Sequence, residues 1–119
     1  MRICLFAGAG AGKSTVAPGV LHELKKKGYN VEGVSEYVKK WAYEGKVPRS
    51  YDQVYLFGKQ LNAEDFFLQH GVEHIVTDSP VYLQAYYARK FGFPHWEELL
   101  TIAQGFEAAN PALNIFLDR

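Results

Sequence analysis

The chain has 119 residues, one domain at most (1–119), and its 48% hydrophobic and 15% aromatic residues can form a core, which excludes intrinsic disorder. Its 13 basic and 13 acidic residues balance, so no net charge attracts nucleic acid or an anionic membrane. No apolar stretch reaches the roughly 18 residues that span a bilayer. Cys4 is the only cysteine, which excludes an intrachain disulfide and favours a reducing compartment. We therefore expect a soluble, cytoplasmic protein in which Cys4 is inert core.

Strand and helix signals alternate from the first residues onward. The basic run 25–27 followed by Gly28 is typical of a helix end, and a phosphate or nucleic-acid patch is the alternative. Pro18 falls inside the first helix, where it should kink or shorten that helix. The first half is predicted to contain a strand at 2–7, a helix at 13–27, a strand at 30–35, a short helix at 36–42 and a loop at 43–49.

A long helix follows, and its start carries the spacing of a capping box. Ser50 and Gln53 stand three residues apart, so that each side chain can bond the other's backbone N–H, and Gly71 ends the helix. The rest of the chain is predicted to contain a strand at 74–77, a helix from Pro80, a helix after Pro94 and a strand at 114–117.

This alternation predicts an α/β fold, with a parallel sheet between two layers of helices in a three-layer α/β/α arrangement. Apolar residues at helical spacing mark the side of each helix that should face the core. These residues are Val54, Phe57, Leu61 and Leu68 in the long helix, Leu83, Tyr86, Tyr87 and Phe91 in the next, and Trp96, Leu99, Leu100, Ala103 and Phe106 in the last.

The strongest signal is the glycine-rich turn between the first strand and the first helix. Its glycines let backbone N–H groups point at phosphates, and the helix N-terminus adds its positive dipole end. Lys13 can reach the outer phosphate oxygens, the Ser14 hydroxyl can ligate Mg²⁺, and Thr15 can assist at the inner phosphate. Ala7 stands where the strict motif begins with glycine. The sequence therefore predicts a P-loop that binds a nucleoside triphosphate through Gly8, Ala9, Gly10, Ala11, Gly12, Lys13, Ser14 and Thr15.

Two other interpretations of this turn are weaker. A plain glycine-alanine turn would gain nothing in packing from Lys-Ser-Thr, and a Rossmann dinucleotide loop does not call for Gly-Lys-Ser. The chain also lacks the Asn-Lys-x-Asp motif for guanine, which favours ATP over GTP.

Two carboxylates follow strands at the edge of the sheet where ligands bind in parallel α/β folds. Asp78 comes directly after the third strand and is predicted to hold the Mg²⁺ shell; the alternative is a helix N-cap ahead of Pro80, a role that Ser79 can also take. Glu36 comes after the second strand, where it can accept a proton from an acceptor hydroxyl. A solvated carboxylate in the first turn of a helix is the competing interpretation of Glu36.

Other polar residues are weaker candidates. Lys39, Lys40 and Arg49 can bind an acceptor phosphate, although each taken alone is typical of a protein surface. Gln60 and Tyr55 can face an acceptor base, with a plain helix surface as the alternative.

Taken together, these residues resemble the P-loop kinases of nucleosides and nucleotides. Within that group the sequence is similar to the small AAA-type domain shared by nicotinamide ribonucleoside kinases and many phage nucleotide kinases, over nearly the whole chain. The resemblance rests on 7–15 (Ala-Gly-Ala-Gly-Ala-Gly-Lys-Ser-Thr), 34–37 (Val-Ser-Glu-Tyr), 77–80 (Thr-Asp-Ser-Pro) and 85–88 (Ala-Tyr-Tyr-Ala).

The resemblance implies the strand order 2-3-1-4-5 of nucleotide kinases, with the fifth strand absent here. It implies phosphate and Mg²⁺ roles for Lys13 and Ser14, the role of the strand-three acid for Asp78, and that of the acid near the acceptor for Glu36. Many of these kinases have arginine where this chain has Ser79. Their arginine-bearing lid follows the fourth strand, so the resemblance leads us to expect a domain incomplete at its C-terminal end.

We therefore expect an ATP-dependent phosphotransferase that moves the γ-phosphoryl group of Mg-ATP to a small nucleoside or nucleotide acceptor. No nucleic-acid or membrane partner is expected. The alternatives are a nucleotide-dependent regulatory switch, or a remnant that binds nucleotide without turnover.

Overall fold

The computed structural model of the chain describes residues 1–6 and 13–117; at 13–15, 38 and 39 it describes the backbone only. Within these ranges no helix combines the length and the apolar character that crossing a membrane requires. Strands and helices alternate along most of the chain. In order they are β1 (Arg2–Phe6), α1 (Lys13–Lys26), β2 (Val31–Val34), α2 (Val38–Tyr43), α3 (Asp52–Gln69), β3 (His74–Thr77), α4 (Val81–Lys90), α5 (Trp96–Ala109) and β4 (Ala112–Phe116).

The four strands form one parallel sheet in the order β2-β3-β1-β4. Cys4 of β1 lies beside Thr77 of β3, and Thr77 lies beside Val34 of β2. The α/β class, the parallel pairing and the order 2-3-1-4 are therefore confirmed. Because all strands run the same way, the segments that follow β1, β2 and β3 leave the sheet at the same edge.

Two apolar clusters pack against this sheet and between its helices. One joins Ile3, Val31 and Val76 to the apolar side of α1. The other lies where α3, α4 and α5 meet. Cys4 of β1, which belongs to neither cluster, is fully buried as expected, and burial raises the pKa of its thiol to about 12. The second cluster consists of Phe57, Val81, Ala85, Ala88, Phe93, Leu99 and Ala103.

The first helix ends as predicted but is not shortened by its proline. α1 runs without interruption from Lys13 to Lys26 through Pro18, and Gly28 takes a positive φ of 87° just beyond its end. The left-handed conformation at this position favours glycine, because glycine has no side chain to clash with the helix carbonyls. The basic run is therefore a solvent-exposed helix end.

The capping box at the start of the long helix is wrong. The N-cap position of α3 is Tyr51, which makes no side-chain cap bond, and Ser50 lies in the left-handed region with φ 52°. The Asp52 carboxylate instead accepts a hydrogen bond from the backbone N–H of Arg49, at 2.9 Å. Gln53 is turned inward and buried.

The predicted inner faces of two helices are also partly wrong. Val54 in α3 is exposed, and so are Tyr86 in α4 and Phe91 just after it. The side of α4 that contacts α3 and α5 instead carries Val81, Ala85 and Ala88. The two alanines are small, so they let the neighbouring helices approach closely. The predicted face of α5 is correct, with Leu99 and Ala103 buried and Trp96, Leu100 and Phe106 packed beside them.

Candidate functional site

The candidate site lies at the sheet edge where β1, β2 and β3 end. The residues predicted to cradle phosphates, Gly8 to Gly12, lie outside the described residues, and so do the side chains of Lys13, Ser14 and Thr15. The structure does describe the two elements that flank this segment: β1 ends at Phe6, and α1 begins at Lys13. A strand and a helix thus flank the motif in the order that a phosphate-binding loop requires.

Asp78 follows β3 at this edge and is 8% exposed. Its Oδ1 atom is buried and finds no hydrogen-bond partner among the described residues. The helix-cap interpretation of Asp78 and Ser79 is wrong, because the N-cap of α4 is Pro80 and the first N–H of the helix is bonded by Glu64 of α3 instead of by either residue. A buried carboxylate oxygen without a partner is costly, and a cation with its bound waters would satisfy it.

A cavity of about 400 Å³ opens beside Asp78. Its walls come from α1, through Ala17 and Leu21, and from the end of β2, through Val34 and Ser35. The carboxylate therefore borders open space between the first helix and the sheet.

Glu36 lies on a different cavity, of about 240 Å³, between the β2–α2 loop, α3 and α4. The cavity is lined by polar groups and by two aromatic rings, so it offers both hydrogen bonds and flat apolar contacts. Burial raises the pKa of the Tyr87 hydroxyl, and the negative charge of Glu36 adds to that rise, so Tyr87 stays neutral and able to donate. The lining residues are Glu36, Pro48, Gln53, Gln84, Tyr87, Lys90 and Phe91.

The two amides of this cavity were not predicted as site residues. Gln53 and Gln84 are both more than nine-tenths buried. Gln84 donates from Nε2 to the Ser79 hydroxyl at 3.1 Å, and the carbonyl oxygen of such an amide can accept hydrogen bonds as well. A signal was available in the sequence, since Gln53 lies four residues before the buried Phe57 on the same helix.

The surface interpretation of Gln60 is wrong, because its side chain is buried and bonded to the backbone of another segment. It is 1% exposed; its Oε1 accepts from the Tyr37 N–H at 3.0 Å, and its Nε2 donates to the Ser35 carbonyl at 3.2 Å. Tyr55 is half-exposed, and its hydroxyl lies 3.0 Å from that of Tyr37. Lys40 and Arg49 are exposed, which fits their surface interpretation, and the side chain of Lys39 lies outside the described part.

A buried ion pair beneath the site was also missed. Glu64 of α3 is 0% exposed and lies 2.8 Å from the Arg2 guanidinium, which also contacts Glu107 of α5 at 2.9 Å. The second Glu64 oxygen, Oε2, accepts from the backbone N–H of Val81 at 2.9 Å. Glu64 therefore joins β1 to the start of α4.

No group of three or more His, Cys, Asp or Glu side chains in residues 1–6 and 13–117 is placed to hold a metal ion. Mg²⁺ itself is commonly held by only one or two protein oxygens together with substrate phosphates and waters. Asp78 fits such a role through its buried Oδ1, which has no partner among the residues that the structure describes.

No model of a known protein family matches the chain, and no curated protein is detectably similar to it.

Proposed function

We propose that this protein is an ATP-dependent phosphotransferase of the nucleoside or nucleotide kinase type, built on a three-layer α/β/α P-loop domain. One observation carries the proposal. The glycine-rich segment 7–12 and the Lys-Ser-Thr at the start of α1 follow β1 at the sheet edge where Asp78 has a buried carboxylate oxygen without a hydrogen-bond partner in residues 1–6 and 13–117. The combination would bring together backbone N–H groups that bind anions, the Lys13 ammonium and a carboxylate for the metal shell.

In this mechanism the backbone N–H groups of 8–12 and the Lys13 ammonium bind the phosphates of ATP. Ser14 and Asp78 would hold Mg²⁺ or its waters; the ion supplies charge neutralisation at the phosphates. Glu36 orients the acceptor hydroxyl and accepts its proton. Positioning and electrostatic stabilisation then account for most of the rate gain, since phosphoryl transfer needs little covalent chemistry from the protein.

The cavity that contains Glu36 favours a nucleoside-like acceptor. Gln53 and Gln84 present amide donors and acceptors, which suit the polar edge of a planar base. Phe91 and Tyr87 supply aromatic surface against which a ring can pack. Glu36 stands on the same cavity, where the sugar hydroxyl or phosphate of such an acceptor would lie.

The experiment that tests this function is a screen for ADP release from Mg-ATP with a panel of nucleosides and nucleoside monophosphates. Release that depends on one acceptor class supports the kinase. ATP binding without such release, but with nucleotide-dependent capture of a partner, would favour the regulatory switch. ATP binding with neither effect would favour the remnant.

Lys13→Ala is expected to weaken ATP binding by an order of magnitude or more. The physical reason is the loss of one charge-assisted contact to phosphate, worth about 1.5–3 kcal/mol. Isothermal calorimetry with Mg-ATP measures the change, and Lys26→Ala at the exposed end of the same helix is the matched control. Equal affinity of Lys13→Ala and wild type would refute the phosphate-loop assignment.

Asp78→Asn is expected to keep the fold but to remove most of the benefit that Mg²⁺ adds to ATP binding. The amide cannot supply the negative charge that a metal shell needs, while its size is unchanged. Thermal melts with ATP, with and without Mg²⁺, measure the metal-dependent shift in Tm, and Asp65→Asn on α3 is the control. A full metal-dependent shift in Asp78→Asn would remove Asp78 from the metal site.

A further inference from the structure

α3 carries an unusual buried stripe in which polar residues occupy core positions. Gln53, Phe57, Gln60 and Glu64 follow one another at spacings of four, three and four, so they share one side of the helix. Three of these four residues are polar, and all four are buried. Buried polar side chains persist where each has a specific partner, so the partners show what the stripe does.

The partners of Gln60 lie on either side of Glu36. Its amide accepts from the Tyr37 N–H and donates to the Ser35 carbonyl, at 3.0 and 3.2 Å. Tyr37 is also the N-cap residue of α2, which has no side-chain cap of its own. The loop that carries Glu36 is therefore fixed to α3 from both of its ends.

The Glu64 carboxylate fixes one end of the loop that carries Asp78. Val81 is the first residue of α4, and its N–H is bonded by Glu64 in place of a local cap. Only residues 78–80 separate Val81 from the end of β3 at Thr77. Glu64 is itself held by the Arg2 Nε–H on β1, at 2.9 Å, so its position is tied to the strand that precedes the phosphate loop.

We propose that α3 is the positioning element of the site, through Gln60 for the acceptor-side loop with Glu36 and through Glu64 for the metal-side loop with Asp78. This inference rests on the proposed kinase function. The two side chains stand one helical turn apart, about 6 Å along the axis, and that distance cannot vary while the helix is intact. α3 thereby sets the separation of the two loops, which neither loop sets for itself.

Two variants remove one contact each without removing a catalytic residue. Gln60→Met keeps the side-chain length, but methionine has no amide to accept from the Tyr37 N–H or to donate to the Ser35 carbonyl. Val81→Pro removes the N–H that Glu64 bonds and leaves the Arg2–Glu64 pair in place. Proline is favoured at the first position of a helix, and Pro80 already has the extended backbone (φ −56°, ψ 148°) that a following proline requires.

We expect a crossed pattern of effects. Gln60→Met should lower acceptor-dependent ADP release by about 10–100-fold while changing the Mg²⁺-dependent gain in ATP affinity less than about twofold. Val81→Pro should reduce that Mg²⁺-dependent gain by about 10-fold. Amide hydrogen exchange should accelerate at Tyr37 in the first variant and at Ser79 in the second.

Matched controls separate positioning from packing and from general loss of stability. Gln69→Met makes the same substitution at an exposed site on α3, and Val81→Ala removes more side chain but keeps the N–H. Both controls should leave ADP release and the Mg²⁺ gain near wild type. Parallel losses of both quantities in each variant, or a larger loss of the Mg²⁺ gain in Val81→Ala than in Val81→Pro, would overturn the inference.

The same measurements distinguish failure of the inference from failure of the proposed function. Wild type that releases no ADP with any acceptor overturns the kinase function, whereas exchange at Tyr37 and Ser79 and the Mg²⁺ gain still decide whether α3 positions the two loops. Unchanged exchange at both amides in the two variants overturns the positioning role even in an active kinase.

Discussion

Replacing Glu36 by glutamine is expected to lower acceptor-dependent turnover by about 10²–10⁴-fold, the usual scale for removal of a positioned general base. Glutamine keeps the size of the side chain and can still hydrogen-bond an acceptor hydroxyl, but it cannot take up the proton. ATP affinity should stay nearly intact, because Glu36 and Asp78 line separate cavities. ADP release and calorimetry with Mg-ATP on the same variant measure the two quantities.

Glu44→Gln, at an exposed position beyond α2, is the control for loss of one negative charge near the site. Its turnover should match wild type. A loss in Glu36→Gln of only a few-fold would assign Glu36 to hydrogen bonding of the acceptor without proton transfer. Unchanged turnover would make Glu36 a solvated helix carboxylate and remove the main residue-level argument for a kinase over a switch.

The sheet and the helix ends were predictable because local signals determine them. Short apolar runs separated by amphipathic segments specify parallel strands joined by helices, and glycines such as Gly28 and Gly71 end helices through their positive φ. The strand order came from the resemblance and not from the pattern, since periodicity alone does not say which strands are neighbours.

The inner face of α3 was harder to predict because its core positions carry polar side chains. An analysis of hydrophobic periodicity follows the apolar residues and selects Val54, which is exposed in the fold. Gln60 and Glu64 are buried because backbone groups of other segments bond them, and those segments are distant in sequence. Such pairings depend on the tertiary structure, so no local rule reveals them.

The residues of the candidate site also divide into those that the sequence predicted and those that depend on tertiary packing. Asp78 and Glu36 were predicted as site residues because the edge of a parallel sheet collects the residues that follow its strands. Gln53 and Gln84 were not predicted because their place on the cavity depends on how α3 and α4 pack around it. For Asp78 the structure rejects the helix-cap alternative, and the lack of a partner for its Oδ1 within 1–6 and 13–117 supports the proposed metal role.

The largest expected change in stability is at the ion pair beneath the site. Glu64→Met should lower the free energy of unfolding by about 3–5 kcal/mol, because it leaves the buried Arg2 guanidinium without its nearest anion. Burial itself opposes the charge on Glu64 and raises the pKa of its carboxyl, and the Arg2 guanidinium counters that rise. Each charge of the pair offsets the cost of burying the other. Removing one partner therefore lowers the stability by more than the intact pair contributes to it.

Three variants in urea unfolding separate these contributions. Glu107→Gln removes the other ion pair of Arg2, whose acid is partly solvated, and should cost well under half as much as Glu64→Met. The double variant Arg2→Met, Glu64→Met should recover most of the loss, because no charge then remains buried without a partner. A loss in Glu64→Met no larger than that in Glu107→Gln would show that Glu107 and the Asn110 carbonyl, which accepts from Arg2 at 3.1 Å, suffice to hold the guanidinium.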